Sequence, residues 1–362
     1  MRISKILDAN PWLLCWLARH SNEHNNQIQM VFPASPRDKD IEKLVKTYDK
    51  DGPLEVHADM PYDDLKKSVS RLHLKTAAEC INKTGEEFRR ASFVLVPTKK
   101  AEGFALVFEL CHVVGDGHTY YTILNMVSKD VPIVPLQIQR AEDSDHKLEH
   151  MLGSPEARAF CKRCLIFEIL KKKLCRRSLQ VTSIHNIDMA EVALKKKAVP
   201  AGTFISTNDI LCTHLFQHMG SDIAIMLVNL RNRIPEFADT MAGNFEGGLC
   251  FDREGYADAQ SIRASTAQAG GVLHGGMRKS VPPWYGCMSA KTALITNWSS
   301  FARDLIIDGC VQQLHLPLMD LPIHGCIIFR ACANKLCVLY QRDAHEGNEL
   351  PFKIIPHGKR DV

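Results

Sequence analysis

The stretch from Cys111 to Tyr121 reads CHVVGDGHTYY, and His112 to Gly117 within it spell H-x-x-x-D-G. An imidazole, with an ordinary pKa of about 6.5, accepts and returns a proton near neutrality, as general-base catalysis of an acyl transfer requires. Gly115 and Gly117 permit a tight turn, and Asp116 can hold it by accepting hydrogen bonds or meeting a cation. Three fixed positions in six are a weak signal. Alone they fit a strand-end histidine before an Asp-Gly turn better than a catalyst.

Three more stretches set polar residues among apolar ones: FISTNDILCTHLF (204–216), VNLRNRIPEFADTMAGNFEG (228–247) and ITNWSSF (295–301). Arg231 offers a cation that stays charged, or else a surface charge after a strand. Trp298 carries a donor-only indole N–H suited to a developing oxyanion, or else a packed core aromatic. Ser206 and Thr207 stand before a helical period, where capping explains them better than ligand contact. The runs Lys171–Lys173, Arg176–Arg177 and Lys195–Lys197 read first as solvated faces and second as an attraction for cofactor phosphates. His146, His150, Cys161 and Cys164 resemble a reversed zinc-finger ligand set, but they fall in a basic amphipathic helical pattern, so no metal site is expected.

The elements that must position these residues are visible as periodicities. RRASFVLVP and GFALVFELC read as neighbouring strands, and HTYYTILNMVS after them has helical period, which puts His112 where a buried strand turns into a helix. ISKILDANPWLLCWLA has helical spacing through Ile6, Leu7, Leu13, Leu14 and Leu17, interrupted near Pro11. QIQMVFP alternates like a strand and YDDLKKSVSRLHL is helical. From 136 to 200 the chain is polar, basic and partly helical, without strand signal. Beyond it, STNDILCTHLFQHM reads as a capped helix, and DIAIMLVNL, KTALITNWSS, GCIIFRACA and KLCVLYQRD read as strands. This order predicts an α/β protein in three parts: an N-terminal half at 1–135, a crossover at 136–200 and a C-terminal half at 201–362.

Composition narrows the function classes. The 362 residues are 45% hydrophobic and 24% charged with a net charge of +4, too mildly basic for a nucleic-acid binder of this size. No apolar run reaches the roughly 20 residues of a membrane span, and the start does not read as a secretory signal, so neither membrane nor nucleic acid is an expected partner. Thirteen cysteines scattered through apolar runs suggest reduced, buried thiols and a cytoplasmic setting. The sequons at Asn82 and Asn297 then read as chance matches.

Taken in order, ELCHVVGDGHTYY, FISTNDILCTHLF, NLRNR with AGNF, and TNW resemble the chloramphenicol acetyltransferase-like superfamily. Within it the chain is most similar to BAHD-type and condensation-type acyltransferases, over nearly its whole length. The resemblance implies two similar α/β halves, each a mixed sheet with helices packed on it, and an active site in a tunnel between them. It implies His112 as the base that deprotonates a hydroxyl or amine attacking a thioester. Asp116, with Gly117, becomes the structural part of the motif, paired with Arg231. Trp298 becomes the oxyanion donor, Thr296 an orienting group for the acceptor, and Asn244 a residue that shapes the tunnel. Ser206, Thr207 and Lys195 become candidate contacts to coenzyme A. An acyl-CoA co-substrate, no bound cofactor, a small-molecule acceptor and a monomer follow. His118, just past Gly117, gains no such support and is left out of the mechanism.

Two other functions stay open: a condensation-type enzyme using the thioester of a separate carrier protein, and a non-catalytic descendant that binds a ligand or partner. Cys111 stands where condensation-type members carry a first histidine. Where BAHD enzymes read D-F-G-W-G, this chain reads IIDGCVQQLHLP and keeps only Asp308-Gly309. The first helix comes without the opening strand usual in the family.

Overall fold

The computed structural model describes residues 2–22, 25–48, 55–58, 60–72, 85, 90–98, 103–139, 143–152, 154–174, 180–200, 202–266, 268–269, 272–273, 275–277, 283–343 and 350. The chain forms two compact units, each assembled from separate stretches: unit 1 from Met1–Arg140, Ala238–Asn244 and Phe301–Leu314, and unit 2 from Ala141–Phe237, Phe245–Ser300 and His315–Val362.

Unit 1 contains α1 (Arg2–Ala9), β1 (Trp16–Asn22), β2 (Asn25–Val31), α2 (Asp38–Leu44), β3 (Val45–Thr47), α3 (Tyr62–Val69), β4 (Ala91–Pro97), β5 (Phe104–Leu110) and α4 (Gly117–Asn125). β3, β4 and β5 form one sheet, with β3 parallel and β5 antiparallel to β4, while β1 and β2 form a separate ribbon. Leu17 was expected on a helix but lies on β1. Helix α1 stops at Ala9, Pro11 opens a short 3-10 turn to Leu14, and the chain then extends into the ribbon. Asn10, fully buried, fixes that exit: its side chain donates to the Val134 carbonyl at 3.0 Å and accepts from the Leu136 N–H at 2.8 Å. Phe93, Phe108 and Tyr120 stack with centroids 4.4 and 4.8 Å apart, which packs α4 onto β4 and β5.

Unit 2 contains α5 (Ser144–His150), α6 (Pro155–Leu174), β6 (Gln180–Asn186), α7 (Met189–Lys197), α8 (Thr207–Met219), β7 (Ile223–Asn229), β8 (Glu246–Phe251), α9 (Ala259–Thr266), β9 (Gln268–Ala269), β10 (Val272–Leu273), β11 (Thr292–Asn297), β12 (Gly325–Cys332) and β13 (Lys335–Asp343). Its main sheet has the order β6-β13-β12-β11-β7-β8, with β7, β11 and β12 parallel and the outer pairings antiparallel. The parallel strands are continuous apolar runs, as strands covered on both faces must be. Helix α8 ends on Gly220, whose φ of 57° admits the left-handed cap that closes it onto Phe216 and Gln217.

Two findings in unit 2 depart from the sequence expectation. β6 is a strand inside the segment without strand signal. It is an edge strand whose residues Gln180, Thr182, Ser183 and His185 are polar, so it lacks the apolar alternation that announces a strand. Cys161 and Cys250 form a disulfide between α6 and β8, so this pair is not the reduced pair expected. The packing of α6 over β8 sets their Cα atoms 6.5 Å apart, a distance a disulfide spans. Their neighbour Cys164 is pushed up to about 12 by burial and by Cys287 nearby. Among the described residues no helix is long and apolar enough to cross a membrane.

Candidate active site

His112 lies two residues past the end of β5, on a turn closed by the bond from the Val114 N–H to the Cys111 carbonyl at 2.9 Å. Its side chain is exposed, whereas Cys111, Val114, Gly115 and Asp116 around it are buried. Gly115 is required here, because a Cβ would sit 2.8 Å from Thr119 Cγ2 and 2.9 Å from Leu110 Cδ2. Asp116 caps α4, accepting at Oδ1 from the Thr119 N–H at 2.9 Å and from the Thr119 hydroxyl at 3.0 Å. Gly117 is the first residue of that helix.

The segment 238–244 clamps this turn within unit 1. The Asp116 N–H donates to the Gly243 carbonyl at 3.2 Å, and the Thr119 hydroxyl lies 3.1 Å from both the Gly243 carbonyl and its N–H. Asn244 Nδ2 donates to the His112 carbonyl at 2.8 Å. Asn244 was expected to shape a tunnel; in unit 1 its amide fixes the backbone of the candidate base. The segment is itself held by the Gln137 N–H to the Thr240 carbonyl and the Ala242 N–H to the Gln137 carbonyl, at 2.8 and 2.7 Å. His118 stands 3.6 Å from Asp239 and edge-on to Phe301 with centroids 5.4 Å apart, so it packs on the elements that hold the turn. Burial raises the hydroxyls of Tyr120 and Tyr121 far above their ordinary range, which leaves both neutral hydrogen-bonding groups.

In unit 2 the candidates gather at the C-terminal ends of the parallel strands, where open α/β sheets commonly bind ligands. Thr296 is buried on β11, level with Leu227 of β7 and Ile327 of β12. Trp298, half-buried, leaves the strand with its N–H bonded to the Ile328 carbonyl at 2.8 Å. Arg231 follows β7 and is buried, with Nη1 3.1 Å from Asn229 Oδ1 and its guanidinium 4.8 Å over the Phe245 ring.

Two asparagines that sequence reasoning passed over position these ends. Asn297 Nδ2 donates to Asn208 Oδ1 on α8 at 2.8 Å, and Asn297 Oδ1 accepts from the Ser299 N–H and hydroxyl at 2.9 and 2.7 Å. Asn297 therefore ties the TNW turn to the first turn of α8. Its place inside TNW was the available signal, read only as part of a sequon. Asn82 lies outside the described residues.

Ser206 is the N-cap of α8 in a capping box: its hydroxyl accepts from the Asp209 N–H at 3.2 Å, and Asp209 Oδ2 accepts from the Ser206 N–H at 2.8 Å. Thr207 begins the helix. Lys195, in the last turn of α7, lies 3.6 Å from Glu191. Arg176 and Arg177 lie outside the described residues, as does the side chain of Lys173. His146 and His150 are exposed on α5 while Cys161 and Cys164 are buried on α6, and among the described residues no group of three or more such side chains could hold a metal ion.

No family model matches the sequence, and no curated protein matches it. Solved structures do share its fold. TRI101 of F. sporotrichioides, complexed with coenzyme A and T-2, is 12% identical with a TM-score of 0.55, over 94% of this chain and 85% of its own. Vinorine synthase is 12% identical with a TM-score of 0.59, over 95% and 80%. The first condensation domain of the CDA synthetase is 10% identical with a TM-score of 0.57, over 96% and 82%. The chain therefore shares a mixed α/β fold with these three solved structures.

Proposed function

We propose that this protein is an acyltransferase that moves an acyl group from a thioester donor, an acyl-CoA, to a hydroxyl or amine acceptor. The observation that carries the proposal is the build of the His112 turn. An exposed imidazole stands on a backbone pinned by Asn244, while the buried Asp116 is spent on holding the helix that follows. A mere strand-end histidine needs no such clamp.

His112 takes the acceptor's proton as its oxygen or nitrogen attacks the thioester carbonyl. The Trp298 indole N–H donates to the oxyanion, and Thr296 orients the acceptor. The tetrahedral intermediate collapses by breaking the carbon–sulfur bond, and the departing thiolate recovers the proton from the His112 imidazolium. Pairing of Asp116 with Arg231 belongs to the same proposal, as does phosphate attraction by Lys195 near α8, whose start carries Ser206 and Thr207. Coenzyme A in the TRI101 structure supports the donor class.

A condensation-type reaction on a carrier-protein thioester is the second reading, supported by the likeness to the CDA condensation domain. Mass-spectrometric screening of acyl-CoAs against pooled alcohols and amines tests the first. Turnover should fall by about a hundredfold to ten-thousandfold in His112→Ala at unchanged melting temperature. Undiminished turnover in that folded variant rejects His112 as base. Consumption of a loaded carrier protein, with none of free acyl-CoA, selects the second reading.

A further inference from the structure

We infer that His118, the first residue past the H-x-x-x-D-G stretch, is a positioning residue for His112. It anchors the far end of the clamp whose near end fixes the His112 backbone. The inference deepens the proposed reaction and rests on His112 being its base. His118 lies in the first turn of α4, and its side chain is only 14% exposed. Its Nε2 stands 3.6 Å from Asp239 Oδ1, near the start of the 238–244 segment. At the other end of that segment the Gly243 carbonyl accepts from the Asp116 N–H at 3.2 Å, and Asn244 Nδ2 donates to the His112 carbonyl at 2.8 Å. The first turn of α4 therefore meets the segment at both ends, through His118 at Asp239 and through Thr119 at Gly243. Between them, Gln137 holds the backbone of Thr240 and Ala242.

Phe301 aims the imidazole. The two rings meet edge to face, with centroids 5.4 Å apart and planes at 84°. Phe301 is itself fixed to α4: its carbonyl accepts from Asn125 Nδ2 at 2.8 Å, and its ring lies 6.4 Å from that of Tyr121. A ring backed in this way has few rotamers left, so turning its nitrogen toward Asp239 costs little further entropy. Magnitudes then separate a positioning role from a stabilising one. Asp239 is 63% exposed, and a pair with so exposed a partner adds little to global stability. A displacement of about 1 Å near the reacting groups, by contrast, costs turnover on the order of a hundredfold. Losing the His118 contact frees one end of the segment that carries Asn244. The turn bearing the base then shifts while the fold survives.

The test reads His112 directly in the full chain. With isotope-labelled histidine nitrogens, the imidazole resonances of His112 are assigned by their loss in His112→Asn. They are then compared between the parent, His118→Leu, which keeps a side chain against Phe301 but removes the donor, and Asp239→Ala. Both variants should shift the His112 resonances at an unchanged melting temperature. His118→Gln, which restores an N–H donor, should bring them back toward the parent. In acyl-CoA turnover, kcat should fall about tenfold in His118→Leu with KM within about twofold. Adding Asp239→Ala should lower it little further, because the two changes break one contact. Unmoved His112 resonances in both variants overturn the inference, as does a lowered melting temperature with kcat per folded molecule unchanged. Shifted resonances in a chain whose parent transfers no acyl group support the placement of His112 by His118 and reject the acyltransferase reading instead.

Discussion

In unit 1 the His112 turn is held from outside its own stretch of sequence, by Gly243 and Asn244, while the Val114–Cys111 bond and the helix cap at Asp116 support it locally. In unit 2 the Trp298 turn grows directly out of a strand paired on both sides, and one amide pair, Asn297 with Asn208, adjusts it. One region is a loop made rigid by long-range bonds; the other inherits rigidity from a sheet. Perturbations should therefore act differently: on geometry in the first, on stability in the second.

The largest expected effect falls on the unit 2 sheet. His185 on β6 is buried, shares a hydrogen bond between its Nε2 and the Ser183 hydroxyl at 2.6 Å, and has Arg342 and His218 as neighbouring cationic or titratable groups. Burial first, then Arg342 and His218, depress it from 6.5 to about 4. The unfolded chain takes up the proton first. Stability is thus complete above pH 6.5 and is lost as pH falls from there to about 4, by about 3 kcal/mol in total. Denaturant titrations across that window should show the slope in the parent and a flatter one in His185→Asn. An equal slope in both removes His185 from the account.

Next comes Asn244→Ala, which frees the His112 carbonyl. Turnover should fall about a hundredfold through misplacement of the base, with the melting temperature nearly unchanged. If stability drops and turnover per folded molecule does not, the clamp is scaffolding only. Gly115→Ala should cost about 2 kcal/mol, since its Cβ meets side chains of both β5 and α4 at under 3 Å. The smallest effect belongs to Asn297→Ala. It should cost about 1 kcal/mol with a modest loss of turnover, because the ladder on either side keeps the strand end in place. A larger catalytic loss there than in Asn244→Ala would invert the contrast between the two regions.

What the sequence made legible follows the same division. β4, β5, β7, β11, β12 and β13 were visible because burial writes itself as apolar runs, and α4 and α8 because caps and helical period are local. His112 was placed at a strand end, where it lies. The bond that fixes its carbonyl comes from a residue 132 positions away, and no periodicity encodes such a bond. β6 escaped notice because an edge strand with polar residues on both faces has no pattern to show. Leu17 continued a helical spacing but was captured by the β1–β2 ribbon, where tertiary pairing outweighs local preference.

The dispersed make-up of unit 1 also sets an order of events during synthesis. The chain emerges from its N-terminus, and residues up to 140 appear long before 238–244 and 301–314, which complete the unit. The His112 turn can form early, but its clamp at Gly243 and Asn244 arrives only after more than a hundred further residues have been made. Until then the nascent N-terminal part carries the motif without the bonds that fix it. A fragment cut at residue 140 would be left in that state.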